Sequence, residues 1–211
     1  MASMNSHVKV VIFDCDGVMF DSREANEAYY NQILTQFGKP PMDRRQSEYV
    51  HMNTADQSVA FLFEGDPSLA AAQAYRAEMS YHRFIPMMCM EPHLKELLER
   101  LSPRFKTAIA TNRSDTMGAV LEEHGLTGSF DLVVSSLDVP APKPAPDALL
   151  KIIDHFGIDS GEAVYIGDSE IDALTAVAAR VPFIAYKNRD LPADWHVEHF
   201  GEIERWLFPE G

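Results

Sequence analysis

Asp14 and Asp16 stand one residue apart at the end of a short apolar run, in Asp14-Cys15-Asp16-Gly17-Val18. A second acidic pair lies far along the chain, in Gly167-Asp168-Ser169-Glu170-Ile171-Asp172. A carboxylate serves as nucleophile, proton carrier or oxygen ligand for a hard cation according to its neighbours. If a strand breaks into a turn after Asp14, which the backbone freedom of Gly17 permits, Asp14 faces a ligand as nucleophile and Asp16 holds a proton for a leaving group. A polar loop after a strand accounts for the same residues without chemistry. Asp172 falls one helical turn beyond Asp168, so both carboxylates can point to one edge, although acidic residues at a helix start also complement the helix dipole.

Two further stretches supply positive or hydrogen-bonding groups. Thr111-Asn112-Arg113-Ser114 precedes a predicted helix, where a hydroxyl beside backbone N–H groups suits an anion; equally, Ser114 is a plain helix cap. The run Val139-Pro140-Ala141-Pro142-Lys143-Pro144-Ala145-Pro146 is too rich in proline to continue a strand. Its stiffness either presents the Lys143 ammonium at a fixed point, for a phosphate and Asp14, or merely shapes a surface loop. Carboxylates that converge without a cation repel one another, and hard oxygen ligands in limited number suit magnesium that retains waters and takes a substrate phosphate. Phosphoryl transfer needs an in-line nucleophile, charge neutralisation on the moving group and a proton for the leaving oxygen, and each has a candidate here.

These groups work together only if strands and turns deliver them to one place. Val8 to Phe13 is β-branched and apolar, as a strand buried on both faces should be. Ser22 opens an amphipathic helix to Phe37 closed by Gly38, Asp43 to Phe63 is helical with interruptions, and Asp66-Pro67 opens a helix to about His82. From Pro92 onward helix and strand alternate: a helix to Leu101, a strand Thr107 to Ala110, a helix Ser114 to His124, and a strand Leu132 to Val134. A helix Pro146 to Phe156, a strand Ala163 to Ile166, a helix Glu170 to Ala179 and a strand Phe183 to Tyr186 complete the series. Such alternation predicts an α/β fold, a parallel sheet covered by helices, with an inserted all-helical segment. On this reading residues 1–20 and 87–211 form the core and residues 21–86 the helical insertion. In an open parallel sheet ligands gather at the carboxyl ends of the strands, where all four signatures fall.

Composition limits the partners. With 211 residues, 46% of them apolar and 24% charged, the chain suits one core plus an accessory module. A net charge of -14 disfavours nucleic acid and anionic membranes and favours a small ligand. Cys15 and Cys89 are too few for a disulfide scaffold or a zinc site, which fits a reducing cytoplasm. Met1 to His7 reads as a frayed polar tail without the features of a signal peptide.

Taken in order, Asp14-x-Asp16-Gly17-Val18, Thr111, Lys143 and Gly167-Asp168-x-x-x-Asp172 resemble the four motifs of the haloacid dehalogenase-like hydrolase superfamily. The helical insertion, residues 21–86, resembles the cap of its phosphoglycolate phosphatase and β-phosphoglucomutase-like branch, which implies a Rossmann-like core with the site between core and cap. The resemblance implies a magnesium-dependent phosphatase acting on a small phosphorylated metabolite through an aspartyl-phosphate on Asp14. It makes Asp16 the general acid/base, and Asp14, Asp168 and the Asp16 backbone carbonyl the Mg2+ ligands. Thr111 and Lys143 then hold the transferring phosphoryl, assisted by backbone N–H groups around Cys15, Asp16, Gly17 and Asn112, while Asp172 and Ser169 form an outer shell around metal and lysine. A phosphosugar mutase and a non-catalytic phosphate-binding module are the alternatives. Asp16 speaks against dehalogenation, since the dehalogenase members lack it. Glu91-Pro92-His93 departs from the proline-glycine that usually leads out of the cap.

Other groups carry weaker signals. Arg44, Arg45, His51, Asn53 and Arg83 in the insertion are candidates to reach a substrate, each alternatively a solvated helix residue. His196 and His199 would share one helical face, with no third ligand near in sequence. Met87, Met88 and Met90 suit packing rather than copper, and Cys15 suits packing rather than thiol chemistry.

Overall fold

The computed structural model describes residues 7–208; the polar tail predicted over Met1 to His7 lies outside them except for His7. The elements run β1 (Val10–Phe13), β2 (Phe20–Asp21), α1 (Arg23–Gln36), α2 (Arg44–Met52), α3 (Ala55–Leu62), α4 (Leu69–Glu78) and β3 (Cys89–Met90). They continue through α5 (Leu94–Leu101), β4 (Lys106–Ala110), α6 (Met117–Glu123), β5 (Leu132–Val134), α7 (Asp147–Phe156), β6 (Ala163–Gly167), α8 (Glu170–Ala179), β7 (Phe183–Tyr186), β8 (Trp195–Val197) and α9 (Phe200–Leu207). Six strands form a parallel sheet in the order β5-β4-β1-β6-β7-β8. The chain belongs to the predicted class, a helix-covered parallel sheet.

The period of two in the strands distributes the core. Val11 and Phe13 of β1, with Val164 and Ile166 of β6, point into one apolar cluster, where Leu94, Leu97, Val120 and Phe200 meet them. Val10 and Ile12, with Ala163 and Tyr165, point into the other, against Leu149 and Ile152 of α7 and Ala173 and Ala176 of α8. Helices thus cover both faces, and β1 is wholly excluded from solvent. Register completes the arrangement: Phe13 pairs with Ile109 on one side and Ile166 on the other, so the residues that follow these strands emerge along a single edge.

The helices α1 to α4 leave that edge through β2 and return through β3, which pair antiparallel as a two-stranded ribbon. Their apolar residues, including Tyr29, Tyr30, Ile33, Val50, Val59 and Phe63, belong to the first cluster together with Met19 and Phe20. Capping boxes at Asp43 and Thr54 divide the predicted Asp43-to-Phe63 stretch into α2 and α3.

Some local expectations are corrected. Asp66 accepts the Ser68 backbone N–H at 2.8 Å in a turn, so α4 begins two residues after Pro67 and ends at Glu78. Ser114 does not cap α6, which begins at Met117; its hydroxyl lies 3.0 Å from Asp115. The sequence reading missed the ribbon, β8 and α9. His196 lies in β8 and His199 just before α9, so the two share no helical face. Among the described residues no helix is long and apolar enough to cross a membrane.

His93 occupies the unusual step out of Glu91-Pro92, with φ at +64°, a left-handed conformation that L side chains resist and glycine accepts. Its side chain is exposed. His93→Gly is therefore expected to stabilise the protein by about 0.5–1 kcal/mol, read as a rise in the denaturant midpoint at unchanged slope.

Candidate active site

Asp14 follows β1 directly, and its backbone N–H donates to the carbonyl of Ile166 at 2.9 Å, which ties the end of β1 to β6. Thr111 follows β4 and Asp168 follows β6. Lys143 arrives from the proline-rich loop, where the Asn112 side chain holds it: Asn112 Oδ1 accepts the Lys143 N–H at 2.9 Å and its Nδ2 donates to the Lys143 carbonyl at 3.1 Å. The same Nδ2 lies 3.1 Å from the carbonyl of Met52, a contact from the sheet edge to the end of α2. Asp14, Asp16, Thr111, Asn112, Lys143, Asp168 and Ser169 all line one cavity of about 680 Å³ between the sheet edge and the helical segment. That volume suits a single small molecule.

Lys143 is the electrostatic centre. It is 3% exposed, with its ammonium 2.8 Å from Asp14 Oδ1, 2.6 Å from Asp172 Oδ1 and 3.0 Å from the Tyr165 hydroxyl. Burial pulls the lysine down, but Asp14 and Asp172 outweigh it and hold the ammonium protonated, above the ordinary lysine range. The surface-loop account of this lysine is therefore excluded.

Asp172 is saturated. Lys143 and Tyr165, the latter at 2.5 Å, donate to one oxygen, while the Ser169 hydroxyl and N–H donate to the other at 2.5 and 3.1 Å. Burial raises its pKa, yet Lys143, Ser169 and Tyr165 bring it below the usual carboxylate value. Asp172 is thus ionised and occupied.

Asp14 and Asp168 are different. Burial lifts Asp14 to about 7 against the pull of Lys143, with the charge of Asp172 adding to the rise. Its Oδ1 contacts the ammonium as an ion pair, at an angle that leaves it without a directed hydrogen bond. Burial, followed by the charges of Asp172 and Asp14, raises Asp168 well above its ordinary value.

Two glycines create the room for this crowding. At Gly17, where φ is +81°, a Cβ would stand 2.1 Å from Asp168 Oδ2; at Gly167 a Cβ would stand 2.4 Å from that of Asp172. The Gly17 N–H itself is taken by the Phe20 carbonyl at 2.8 Å. Oxygen atoms of Asp14, Asp168 and Asp172 fall within 4.8 Å of one another. With Asp172 engaged by its own donors, Asp14 and Asp168 remain as hard ligands whose charge a divalent cation would compensate.

Asp16 takes partners that the sequence reading did not foresee. Arg113 grips it in bidentate fashion, Nε to Oδ2 at 2.8 Å and Nη2 to Oδ1 at 2.7 Å, and the Ser22 hydroxyl also donates to Oδ1. Ser22, expected as the α1 cap, thus spends its hydroxyl on Asp16 and makes no capping bond. Burial raises the Asp16 carboxyl, but Arg113 more than reverses this, so in this conformation Asp16 is ionised and only accepts. Arg113 in turn stacks over the Tyr81 ring at 4.8 Å and donates to its hydroxyl at 3.2 Å, and Tyr81 donates to Asn26 at 2.6 Å.

Of the insertion candidates, His51 and Asn53 line the cavity. Arg44 pairs with Glu48 on the surface, while Arg45 and Arg83 lie over the rings of Phe61 and Phe84. Cys15 is fully buried, with its thiol pushed up by burial and by Asp16, as a packing residue should be.

The haloacid dehalogenase-like hydrolase family model matches residues 11–186. The chain belongs to this family. A phosphoglycolate phosphatase of Rhodobacter capsulatus is 31% identical over 193 residues, covering 87% of each chain. A solved haloacid dehalogenase-superfamily hydrolase of subfamily IA from Geobacter sulfurreducens is 40% identical, with a TM-score of 0.78 over 96% of this chain and 97% of that one. A haloacid dehalogenase-like protein from Streptococcus pneumoniae reaches a TM-score of 0.82 over 96% of this chain and 100% of its own at 20% identity, a likeness of fold alone. The protein is accordingly an enzyme, a hydrolase of phosphate monoesters.

Because Lys143 is the one ammonium between two buried carboxylates, Lys143→Met is expected to cost about 3–5 kcal/mol by leaving them uncompensated. Adding Asp172→Asn should recover part of that loss. Urea unfolding of the single and double variants measures both.

Proposed function

We propose that this hydrolase removes the phosphoryl group from a small phosphate monoester through an aspartyl-phosphate on Asp14, with Mg2+ as cofactor and residues 21–86 acting as a cap over the site. The observation that carries the reading is Asp14 itself: a buried carboxylate at the carboxyl edge of the sheet, beside a fixed ammonium and grouped with Asp168 in a cavity of small-molecule size.

Asp14 attacks phosphorus in line as the bond to the leaving oxygen breaks, and Asp16, once it has left Arg113 and taken a proton from solvent, gives that oxygen the proton. Water then attacks the acyl phosphate and yields a proton to Asp16, which frees inorganic phosphate and regenerates Asp14. Lys143 and the Thr111 hydroxyl face the phosphoryl oxygens and offset their charge. The donor set of Asp14, Asp168 and the Asp16 carbonyl is of the hard-oxygen kind that suits Mg2+, which when bound supplies neutralising charge for the phosphoryl group. Asp172, itself held by Ser169, positions Lys143, while Asp16 and Asn112 line the phosphate pocket and the Gly17 N–H, spent on Phe20, is not free for phosphate. The named activity of the relatives that span most of this chain makes phosphoglycolate the first substrate to test.

Asp14→Asn should lower phosphate release by at least about 10³-fold while the thermal melting curve keeps its cooperative shape. Chelation of divalent ions should stop release without unfolding, and Mg2+ should restore it. Wild-type activity in the Asp14 variant would overturn the nucleophile assignment. Isomerised sugar phosphate formed without free phosphate would point to a mutase.

A further inference from the structure

Two arginines line the cavity without a place in the chemistry above, and one of them, Arg76, is paired with Asp56. Arg113 has a side chain only 7% exposed, yet it lines the same cavity as Asp14, Lys143 and Asp168. Its guanidinium already holds a carboxylate fork to fork, and that carboxylate belongs to Asp16, the group assigned to carry the proton. Resting on the Tyr81 ring, with Tyr81 and Thr116 hydroxyls beside it, the guanidinium is built to keep its position whichever carboxylate it grips.

We propose that Arg113 is the specificity residue for a carboxylate on the organic part of the substrate, and that this carboxylate takes the place of Asp16 on the guanidinium and so releases Asp16 toward the leaving oxygen. This deepens the proposed function and rests on it. A phosphorylated hydroxy acid exchanges one bidentate pair for an equivalent one. A neutral phosphate ester offers nothing in return, so freeing Asp16 would leave the buried guanidinium unpaired. Selectivity and activation thus come from the same event, and the enzyme is least active on esters that lack the second anion.

The competition has a charge rationale. Among the described residues the cations paired with Asp14, Asp16 and Asp172 are Lys143 and Arg113; Arg76 also lines the cavity but is paired with Asp56, and His51, held below its ordinary pKa first by burial, adds no charge at neutral pH. A divalent cation would balance the four carboxylates. The carboxylate of a substrate then needs its own cation, and Arg113 is the one whose partner can be exchanged without disturbing Lys143.

The test compares phosphoglycolate with its carboxamide analogue in the presence of Mg2+. Wild-type protein should favour the carboxylate by about 10²-fold or more in kcat/KM, the size expected of a broken buried ion pair. In Arg113→Gln the preference should collapse to within about threefold, because the carboxylate substrate loses its partner and Asp16 no longer has to be drawn off a guanidinium for either ester. Added glycolate should also accelerate wild-type turnover of a neutral ester and have no effect on the variant. Equal loss on both substrates, an unchanged preference or no response to glycolate would overturn the proposal. If wild-type protein releases phosphate from neither ester, the phosphatase reading itself fails. Calorimetric binding of the two compounds to Asp14→Asn, with and without Arg113→Gln, then decides the inference alone: carboxylate selectivity that depends on Arg113 supports it, and its absence refutes it.

Discussion

The placement of Lys143 between Asp14 and Asp172 is the interaction on which the site depends. Removing carboxylates from water is unfavourable unless opposite charge and hydrogen bonds replace the lost hydration. Here one ammonium serves two aspartates and a tyrosine hydroxyl, at 2.6 to 3.0 Å, in a place almost closed to solvent. Asp172 adds donors from Tyr165 and Ser169 to its share of the ammonium, and so stays ionised and fixed. Asp14 has fewer donors, and burial lifts its pKa against the pull of Lys143. An under-compensated carboxylate beside a second one, Asp168, leaves negative charge that a divalent cation would offset.

The fold meets this constraint with backbone rather than with additional charge. Parallel pairing of β1 with β4 and β6 delivers Asp14, Thr111 and Asp168 to one edge, and the alternation of β6 turns Tyr165 to the face where α8 carries Asp172. Gly17 and Gly167 omit the side chains that would occupy the carboxylates' space. Asn112 clamps the Lys143 loop and also touches Met52, so the sheet edge and the helical segment share a hydrogen-bonded joint next to the ammonium. A second joint runs from Asp16 through Arg113 and Tyr81 to Asn26 in α1. Anything that moves the helical segment therefore acts on Asn112 and Asp16 at once.

Much of this was legible before any coordinates. The β-branched run before Asp14, the alternation after Pro92 and the capping residues predict the strands and helices of the sheet, because burial on both faces leaves a strong pattern. The pieces that were missed, β2, β3, β8 and α9, are short or near the end of the chain, and their pairing depends on neighbours distant in sequence. Arg113 and Tyr165 went unassigned although each stands inside a motif. An arginine before a predicted helix and a tyrosine in a strand look alike whether they serve solvent, core or site.

Residue type and order by themselves determined the chemistry available, the class of fold that would gather it and the family whose four motifs the chain bears. Only the tertiary structure decided how the charges divide: that Lys143 belongs to Asp172 as much as to Asp14, that Asp16 is held by Arg113, and that His51 and Asn53 reach the cavity while Arg44, Arg45 and Arg83 turn elsewhere. The reason is that ion pairing depends on distance, direction and loss of water, quantities fixed when segments distant in sequence pack together.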